Sequence, residues 1–278
     1  MNSGTLFIVA TPIGNLDDFS TRGRNVLTAV SVIAAEDTRV TRKLLSTFGI
    51  KTPLLSLHEY NETGRSAELL SRLQKGEDIA LVSDAGTPLI SDPGFELVRA
   101  CHQNGLSVTP VPGPSALIAA LCIAGLPTDR FVFEGFLPNR QAARKTRLQQ
   151  LNMEPRTLVF YESVHRLAES LQDMADCLGA DRQVVLAREL TKLYETVTAD
   201  SLSNLAIQVA TDANARKGEA VVIVAGNSEP RTTLHDLDTV LLPLLTDLPL
   251  KQAVKLAAAI SGQPKNAVYA RALELQKA

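Results

Sequence analysis

With 278 residues the chain is long enough for about two domains, and 45% hydrophobic with 21% charged residues excludes a disordered protein. Aromatic residues make up only 4% and Trp is absent, which excludes a protein that stacks successive bases on aromatic rings. The formal net charge is −2, so any contact with nucleic acid must depend on a local basic patch.

Short apolar runs alternate with helical periodicity in the first part of the chain. Strands are predicted at residues 6–10, 32–35, 54–57, 79–83 and 107–111. In the helix after the second strand, Val40, Leu44, Leu45 and Phe48 share one face, and Gly49 suits its end. This alternation predicts a parallel sheet covered by helices.

A second α/β set follows the Pro-Gly-Pro sequence at 112–114. Helices are predicted at 115–124, 141–151 and 165–178, and strands at 130–134, 157–161, 183–187, 194–198 and 219–225. Residues 227–232 resemble a linker, and three short helices are expected after it. We therefore predict domains at 1–122 and 123–228 and a helical, helix-turn-helix-like tail at 229–278. Such a tail is more often a packing module than a reader of nucleic acid.

The compartment and the cysteines are the next expectations. Cys101, Cys122 and Cys177 are far apart in the sequence and form no CxxC pair, so buried thiols are favoured over zinc or disulfides. The first residues lack the basic and apolar segments of a secretion signal, and no apolar run reaches the roughly 18 residues of a membrane span. We expect a cytoplasmic protein.

Three loops follow predicted strands at the sheet edge where open α/β folds bind ligands. TPIGNL at 11–16 has one glycine and no phosphate-loop lysine, so it suits a ligand without phosphates. SDAGTPLISDPG at 83–94 offers groups for an ammonium and a ribose, while Asp92 before Pro93 is assigned to helix capping. VPGPSA at 111–116 suits equally a ligand carboxylate at a helix start or tight helix packing.

Charged residues follow other strands. Asp37, after Glu36, fits either a ribose contact or a helix cap, and Arg39 lies in a first turn where the helix dipole disfavours it. FYESVHR at 160–166, ARELTK at 187–192 and KGE at 217–219 fit either the wall of a cleft or surface ion pairs. A basic cluster at residues 140–147, formed by Arg140, Arg144, Lys145 and Arg147, fits either an RNA-binding patch or a solvated helix face.

The segments IVATPIGNL, AAEDTR, LVSDAGTPLISDPG, VPGPSA, FYESVHR, ARELTK and KGE, in this order, resemble the tetrapyrrole methylase superfamily. The AEDTR and FYESVHR sequences resemble the corresponding motifs of family members that act on ribosomal RNA. The resemblance implies two α/β domains with S-adenosylmethionine (SAM) in the cleft between them, usually in a homodimer. It also implies 2′-O-methylation of a cytidine in the decoding region of 16S rRNA in the small subunit.

Carried over by motif, the resemblance also implies SAM-binding residues. They are Pro12, Asp84, Gly86, Thr87, Pro88, Ile90, Ser115, Ala116, Tyr161, Glu162 and Ala187. SAM already carries an activated methyl group, so no metal is expected.

Transfer of a methyl group to a ribose oxygen requires the reacting atoms to be aligned about 3–3.5 Å apart, and it requires an acceptor for the hydroxyl proton. The candidate acceptors are Glu36, Asp37, Glu162 and Glu189. Arg39, Arg188 and Lys192 are candidates to hold phosphates or to stabilise the developing alkoxide.

Two alternatives remain at this point. The same fold can methylate a small, precorrin-type tetrapyrrole, because the fold alone does not choose the substrate. The chain can also be a nucleotide-binding regulator with a DNA-reading tail.

Overall fold

A computed structural model describes residues 3–212, 218–227 and 234–276. Lys217 of the KGE segment and residues 228–232 of the expected linker lie outside the described residues. The fold has a larger unit that ends at Asn227 and a C-terminal unit that holds the last three helices. The predicted boundary between residues 122 and 123 falls inside the larger unit and stays a prediction.

The first sheet of the larger unit is parallel, with strand order β3-β2-β4-β1-β5. Its strands are β1 (Thr5–Val9), β2 (Val32–Ala35), β3 (Leu54–Ser56), β4 (Ile79–Val82) and β5 (Ser107–Val111). Every residue of β2 and β4 is buried, as expected for strands covered on both faces. Between β4 and β5 the chain crosses from one side of β1 to the other, and open α/β sheets bind ligands at such a switch point.

Helices cover both faces of this sheet. They are α1 (Thr21–Ala29), α2 (Thr38–Thr47), α3 (Glu62–Gln74) and α4 (Phe95–Gln103). Leu27 of α1 and Leu45 of α2 pack in one core with Ile33 and Val82, whereas α3 and α4 pack in a separate core with Leu6 and Leu81. Because successive strand residues point to opposite faces, α1 and α2 lie on one face of the sheet and α3 and α4 on the other.

The second sheet is mixed, with strand order β6-β7-β10-β8-β9. Its strands are β6 (Phe131–Phe136), β7 (Thr157–Ser163), β8 (Gln183–Arg188), β9 (Thr196–Ser201) and β10 (Glu219–Val224). Strands β6 and β7 run parallel, and the other neighbouring pairs are antiparallel.

One face of the second sheet is covered by α6 (Gln141–Leu151), α7 (Leu167–Leu178) and α8 (Leu202–Thr211). The other face packs against α5 (Ala116–Ile123), which follows the last strand of the first sheet. Helix α8 was not predicted, although its buried residues have helical spacing. They are Leu202, Leu205, Ala206 and Val209.

The predicted cap of α4 is wrong. Its N-cap is Gly94, at φ 123°, and the helix begins at Phe95. The Gly94 and Glu96 backbone N–H groups both donate to Oε1 of Glu62, at 2.9 Å. Because Glu62 of α3 satisfies these donors, Asp92 is not needed there.

The basic cluster on α6 is largely neutralised by carboxylates. Arg144 is only 1% exposed and pairs with the equally buried Asp173 of α7 at 2.7 Å. Lys145 pairs with Asp176 at 2.9 Å and Arg147 with Glu134 at 2.7 Å. For Arg144 both readings of the cluster, an RNA patch and a solvated face, are therefore wrong.

The C-terminal unit consists of α9 (Leu234–Asp247), α10 (Leu250–Ser261) and α11 (Lys265–Leu275), which confirms the three predicted helices. Their core is built from Leu237, Leu241, Val254 and Val268 with three alanines. Gly262 ends α10 in the left-handed region at φ 68°, which makes the tight turn of the expected helix-turn-helix shape. No described helix is long and apolar enough to span a membrane.

Candidate functional site

A cavity of about 510 Å³ lies between the carboxyl edge of the first sheet and the strands of the second, a size typical of small-molecule sites. Loops after β2 and β4 form one wall, and β7, β8 and β10 form the other. The lining residues are Ile13, Glu36, Asp84, Ala85, Gly86, Thr87, Ile90, Ser91, Asp92, Ala116, Phe136, Tyr161, Glu162, Ser163, Val164, His165, Ala187, Leu190, Gly218, Glu219, Ala220 and Val221.

The three loops predicted from the sequence are tied together at this cavity. The backbones of Thr11 and Gly86 exchange two hydrogen bonds, at 2.9 and 3.1 Å. The Thr87 hydroxyl donates to the Pro114 carbonyl at 2.9 Å. Leu89 and Ser91 have φ angles of 75° and 76°, a region that residues with side chains rarely adopt. The loop after β4 is therefore held in a strained shape, as is common where a ligand is bound.

Five carboxylates line the cavity, and no lysine or arginine is found among its described lining residues. The acidic residues are Glu36, Asp84, Asp92, Glu162 and Glu219. Burial raises the pKa of both Glu36 and Asp84. Burial, followed by the nearby Glu36 carboxylate, raises the pKa of Asp92 to about 7. Such a lining attracts a cationic ligand and repels phosphates.

Glu162 is the most buried of these acids, at 2% exposure. Its Oε1 accepts hydrogen bonds from the Ser163 N–H at 2.8 Å and from Nη2 of Arg166 at 2.7 Å. Its Oε2 is buried and accepts no hydrogen bond from the part of the chain that the structure describes. A buried acceptor without a partner is costly, so this oxygen is suited to a donor group of a ligand.

Tyr161 joins the cavity to the start of α5. Its hydroxyl accepts a hydrogen bond from the Leu117 N–H at 3.2 Å, and burial raises its pKa. Its ring packs against Phe133 and Phe136, with centroids 4.9 and 5.6 Å away. This hydrogen bond therefore uses one of the N–H groups at the helix start that the sequence analysis considered for a ligand carboxylate.

An ion-pair cluster forms the rim beside Glu219. Lys192 Nζ lies 3.0 Å from Glu189 Oε1 and 3.2 Å from Glu219 Oε2. A Cβ atom on Gly14 would lie 2.4 Å from Cγ of Lys192, so the loop after β1 and the loop after β8 touch at this point. A side chain at position 14 would push these two loops apart.

The structure brings many of the predicted site residues together at the cavity. Of the predicted SAM contacts, Asp84, Gly86, Thr87, Ile90, Ala116, Tyr161, Glu162 and Ala187 line it, and so does the candidate base Glu36. Pro12, Pro88 and Ser115 belong to the same loops but do not line it. Contact of any of these residues with a ligand stays a prediction.

The other candidates lie outside the lining. Asp37 caps α2 by accepting from the Arg39 N–H, and the Arg39 side chain, 84% exposed, pairs with it at 2.6 Å. These bonds from Arg39 lower the pKa of Asp37 to about 2. Arg188 ends β8, and Glu189 and Lys192 belong to the rim.

Sequence reasoning did not identify Asp92 and Phe136 as lining residues. Asp92 was available in the SDPG segment but was assigned to a cap. Phe136 is an exposed aromatic residue at the end of β6, for which its neighbours in the sequence gave no signal.

The two linked sheets and the acidic cavity define a two-lobed α/β protein with a cavity whose charge suits a small cationic ligand. The family model Tetrapyrrole (Corrin/Porphyrin) Methylases matches residues 5–206, and the model RsmI C-terminal HTH domain matches residues 233–276. The chain belongs to the tetrapyrrole methylase family, which confirms the resemblance seen in its motifs.

Within this family the chain is similar over nearly its whole length to proteins named Ribosomal RNA small subunit methyltransferase I. It is 55% identical to the one from Pseudomonas aeruginosa, covering 99% of each chain. It is 52% identical to the one from Escherichia coli O157:H7, covering 99% of this chain and 96% of the other.

Among solved structures, uroporphyrin-III C-methyltransferase from Thermus thermophilus, complexed with S-adenyl homocysteine, matches with a TM-score of 0.54. The match has 18% identity and covers 80% of this chain and 97% of the other. At this identity the match supports the fold alone, and it confirms the predicted α/β architecture.

Proposed function

We propose that this chain is a SAM-dependent methyltransferase that methylates the 2′-hydroxyl of a cytidine in small-subunit ribosomal RNA. The observation that carries the proposal is the cavity with five lining carboxylates and no lysine or arginine among the lining residues described. SAM carries a sulfonium, an ammonium and one carboxylate group and no phosphate, so its net charge is positive and matches this lining, whereas the net negative charge of NAD or ATP does not. The names of the full-length relatives support RNA as the methyl acceptor.

The residues present fit SAM. The free Oε2 of Glu162 is suited to accept a hydrogen bond from its ammonium group, and Glu36, after the second strand, is placed as an acid that binds ribose hydroxyls. When bound, SAM supplies an activated methyl group with a neutral leaving group. The closely tied loops around Thr11, Gly86 and Thr87 hold the cavity in one shape.

The proton of the ribose hydroxyl needs an acceptor. Asp37 and Glu189 are engaged with Arg39 and Lys192, while Glu36 and Glu162 line the cavity. Asp92 joins these candidates, because a pKa of about 7 lets a carboxylate take up a proton near neutral pH.

The finer parts of the proposal are the cytidine in the decoding region, the 30S subunit as the form of the substrate, action in the cytoplasm, a homodimer and independence of metal. The cytidine and the homodimer rest on the motifs, and independence of metal rests on the activated methyl group that SAM carries.

Methyl transfer can be tested directly. The full-length protein would be incubated with radiolabelled SAM and 30S subunits from a strain that lacks this gene, with subunits from the intact strain as the control. We expect one ribose methyl group on a cytidine of the rRNA, located by mass mapping, in the first sample only. In a parallel incubation with a precorrin-type tetrapyrrole, labelling of that compound and not of the 30S subunits would favour the tetrapyrrole alternative. Absence of SAM binding would contradict the proposal altogether.

A further inference from the structure

A strongly basic stretch of the larger unit has no role in the site described above. Residues 19–58 contain six basic residues but only two acidic ones, Glu36 and Asp37, in a chain with 28 basic and 30 acidic residues. The basic residues are Arg22, Arg24, Arg39, Arg42, Lys43 and Lys51. Glu36 faces the cavity and Asp37 pairs with Arg39, so the other charges of this stretch are positive, and the exposed acids Asp17, Asp18 and Glu59 flank it at its two ends.

The basic residues are gathered on one side of the first sheet, because α1 and α2 share a core on that face. The rings of Phe19 and Phe48 are in contact, with centroids 5.4 Å apart. The guanidinium of Arg24 on α1 lies over the ring of Phe48, 5.3 Å from its centroid. The two helices therefore present their charges on a continuous surface.

The outer face of α2 concentrates this charge. Arg39, Arg42 and Lys43 are spaced i, i+3 and i+4, which places them on one face of the helix, and all three are exposed. Thr41 and Leu45 are buried on the opposite side. Arg42 and Lys43 form no ion pair with a described residue. Asp37 already pairs with Arg39, so Arg42 and Lys43 are the charges of this face that are available to an anionic partner.

A second cavity, of about 320 Å³, lies at the end of the same helix. It is lined by the two cationic side chains Arg42 and Lys51. The hydroxyls of Ser46 and Thr52, which also line it, already donate to the carbonyls of Lys43 and Leu27. The two cations are therefore the groups that can bind phosphate oxygens of a nucleic acid here.

The basic face also has a fixed position relative to the acidic cavity. The Asp37 N–H, at the start of α2, donates to Oδ1 of the cavity residue Asp84 at 3.0 Å. With a rise of about 1.5 Å per residue, Arg42 and Lys43 lie roughly 8–9 Å along the helix from that point. A polyanion bound on this face therefore passes close to the cavity.

We propose that the exposed face of α2, with Lys51 and the small cavity at its end, binds the phosphodiester backbone of the RNA substrate beside the nucleotide that is methylated. This inference rests on the proposed function and names the surface by which that site holds its RNA. The two surfaces have opposite charge because the acidic cavity binds the cationic methyl donor and the basic helix binds the anionic acceptor.

The test compares two double variants that each remove two positive charges. Arg42→Gln/Lys43→Gln changes α2, and the control Lys75→Gln/Arg99→Gln changes exposed positions at the end of α3 and on α4, on the opposite face of the sheet. Binding of 30S subunits from the gene-deletion strain is measured between about 50 and 200 mM KCl, the range in which phosphate contacts are lost. SAM binding is measured by calorimetry, and thermal unfolding shows whether each variant is folded.

For the α2 variant we expect the Kd for 30S subunits to rise about tenfold or more near 0.1 M salt, and the slope of log Kd against log salt to fall by about 1.4, the value for two single-strand phosphate contacts. SAM binding should not change, and the control should match the wild type in every measurement. An α2 variant with wild-type affinity and slope would overturn the inference and leave an acidic protein as the occupant of this face. A wild-type protein that binds SAM but neither binds nor methylates 30S subunits would instead overturn the proposed function, and the RNA surface with it.

Discussion

Asp92 gives the cavity a charge that changes near neutral pH. Its pKa of about 7 means that it is largely neutral at pH 6 and largely ionised at pH 8. A cation binds the ionised form better, so we expect the Kd for SAM to fall as pH rises through 7, and Asp92→Asn to remove most of that dependence. Calorimetric titration at pH 6 and pH 8 measures it. Asn in place of the exposed Asp18 is the matched control, and a dependence that persists in Asp92→Asn would assign it to another group.

The same carboxyl affects stability with the opposite sign. Its pKa in the folded protein lies above 3.8, the value of an unperturbed aspartate, so the stability that its protonation contributes is complete below about pH 4 and is lost as pH rises through 7. We expect the free energy of unfolding to fall by about 1 kcal/mol over that window, after allowance for partial exposure. Urea unfolding of the wild type and of Asp92→Asn at pH 5 and pH 8 gives the change in the free energy of unfolding with pH for each protein. Equal changes in the two proteins would argue against the raised pKa of Asp92.

Glu162 offers the sharpest test of the donor site. Glu162→Gln keeps the size of the side chain but removes the charge, and a hydrogen bond to a charged group contributes about 1.5–3 kcal/mol. We therefore expect SAM to bind roughly ten- to a hundredfold more weakly, as measured by calorimetry. Glu134→Gln is a close control, because Glu134 is also a largely buried carboxylate paired with an arginine, but away from the cavity. Equal losses in both variants would mean that the effect is structural.

At this scale the sequence predicted part of the cavity wall but not its full charge. The motif residues Asp84, Thr87 and Glu162 line the cavity as expected. Asp92 was misassigned because the capping rule uses neighbours in the sequence, whereas the donors of α4 are satisfied by Glu62 from another helix. The spacing of neighbouring residues does not show that a residue far away in the sequence, here Glu62, accepts the hydrogen bonds that a local cap would accept.

At the scale of the elements, the ion pair between α6 and α7 allows a test of whether Arg144 stabilises the fold or binds RNA. Arg144→Ala would leave the buried Asp173 with Lys145 as its cation, at 3.3 Å, and with the Gln141 amide as a neutral donor, at 3.0 Å. Breaking a buried pair typically costs about 3–5 kcal/mol, and the remaining lysine favours the lower value. We expect that loss in urea unfolding with no change in SAM affinity.

The exposed Arg140 provides the comparison for this pair. Arg140→Ala should change stability by less than about 0.5 kcal/mol, as is usual for surface positions. Weaker 30S binding by Arg144→Ala at unchanged stability would restore the RNA-patch interpretation of α6.

Periodicity located most strands and helices within one to three residues, because each pattern is local. The direction of pairing in the second sheet is not local. Strand β10 lies between β7 and β8 and is antiparallel to both, although it follows them in the chain. The sequence of Glu219–Val224 shows that it is a buried strand but not which strands are its neighbours.

At the scale of the whole molecule, the two units differ in how much apolar surface they bury. The core of the C-terminal unit is small and rich in alanine, and Pro243 removes one hydrogen bond inside α9. We expect backbone amides of α10 and α11 to exchange with deuterium at a lower opening free energy than those of β4 and β10. Mass spectrometry of peptides from both units measures this, and equal protection would show that they unfold as one.

Helix α5 has a consequence for how the larger unit can be divided. It follows the first sheet in the chain, yet Ala120 and Leu121 are buried in a core with Val185 of β8 and Ile223 of β10. The exposed connection at residues 125–129 follows it directly. If the polypeptide were cleaved in that connection, each fragment alone would expose a large apolar surface and precipitate. Fragments that are co-expressed should instead reassemble into an active enzyme without any covalent link.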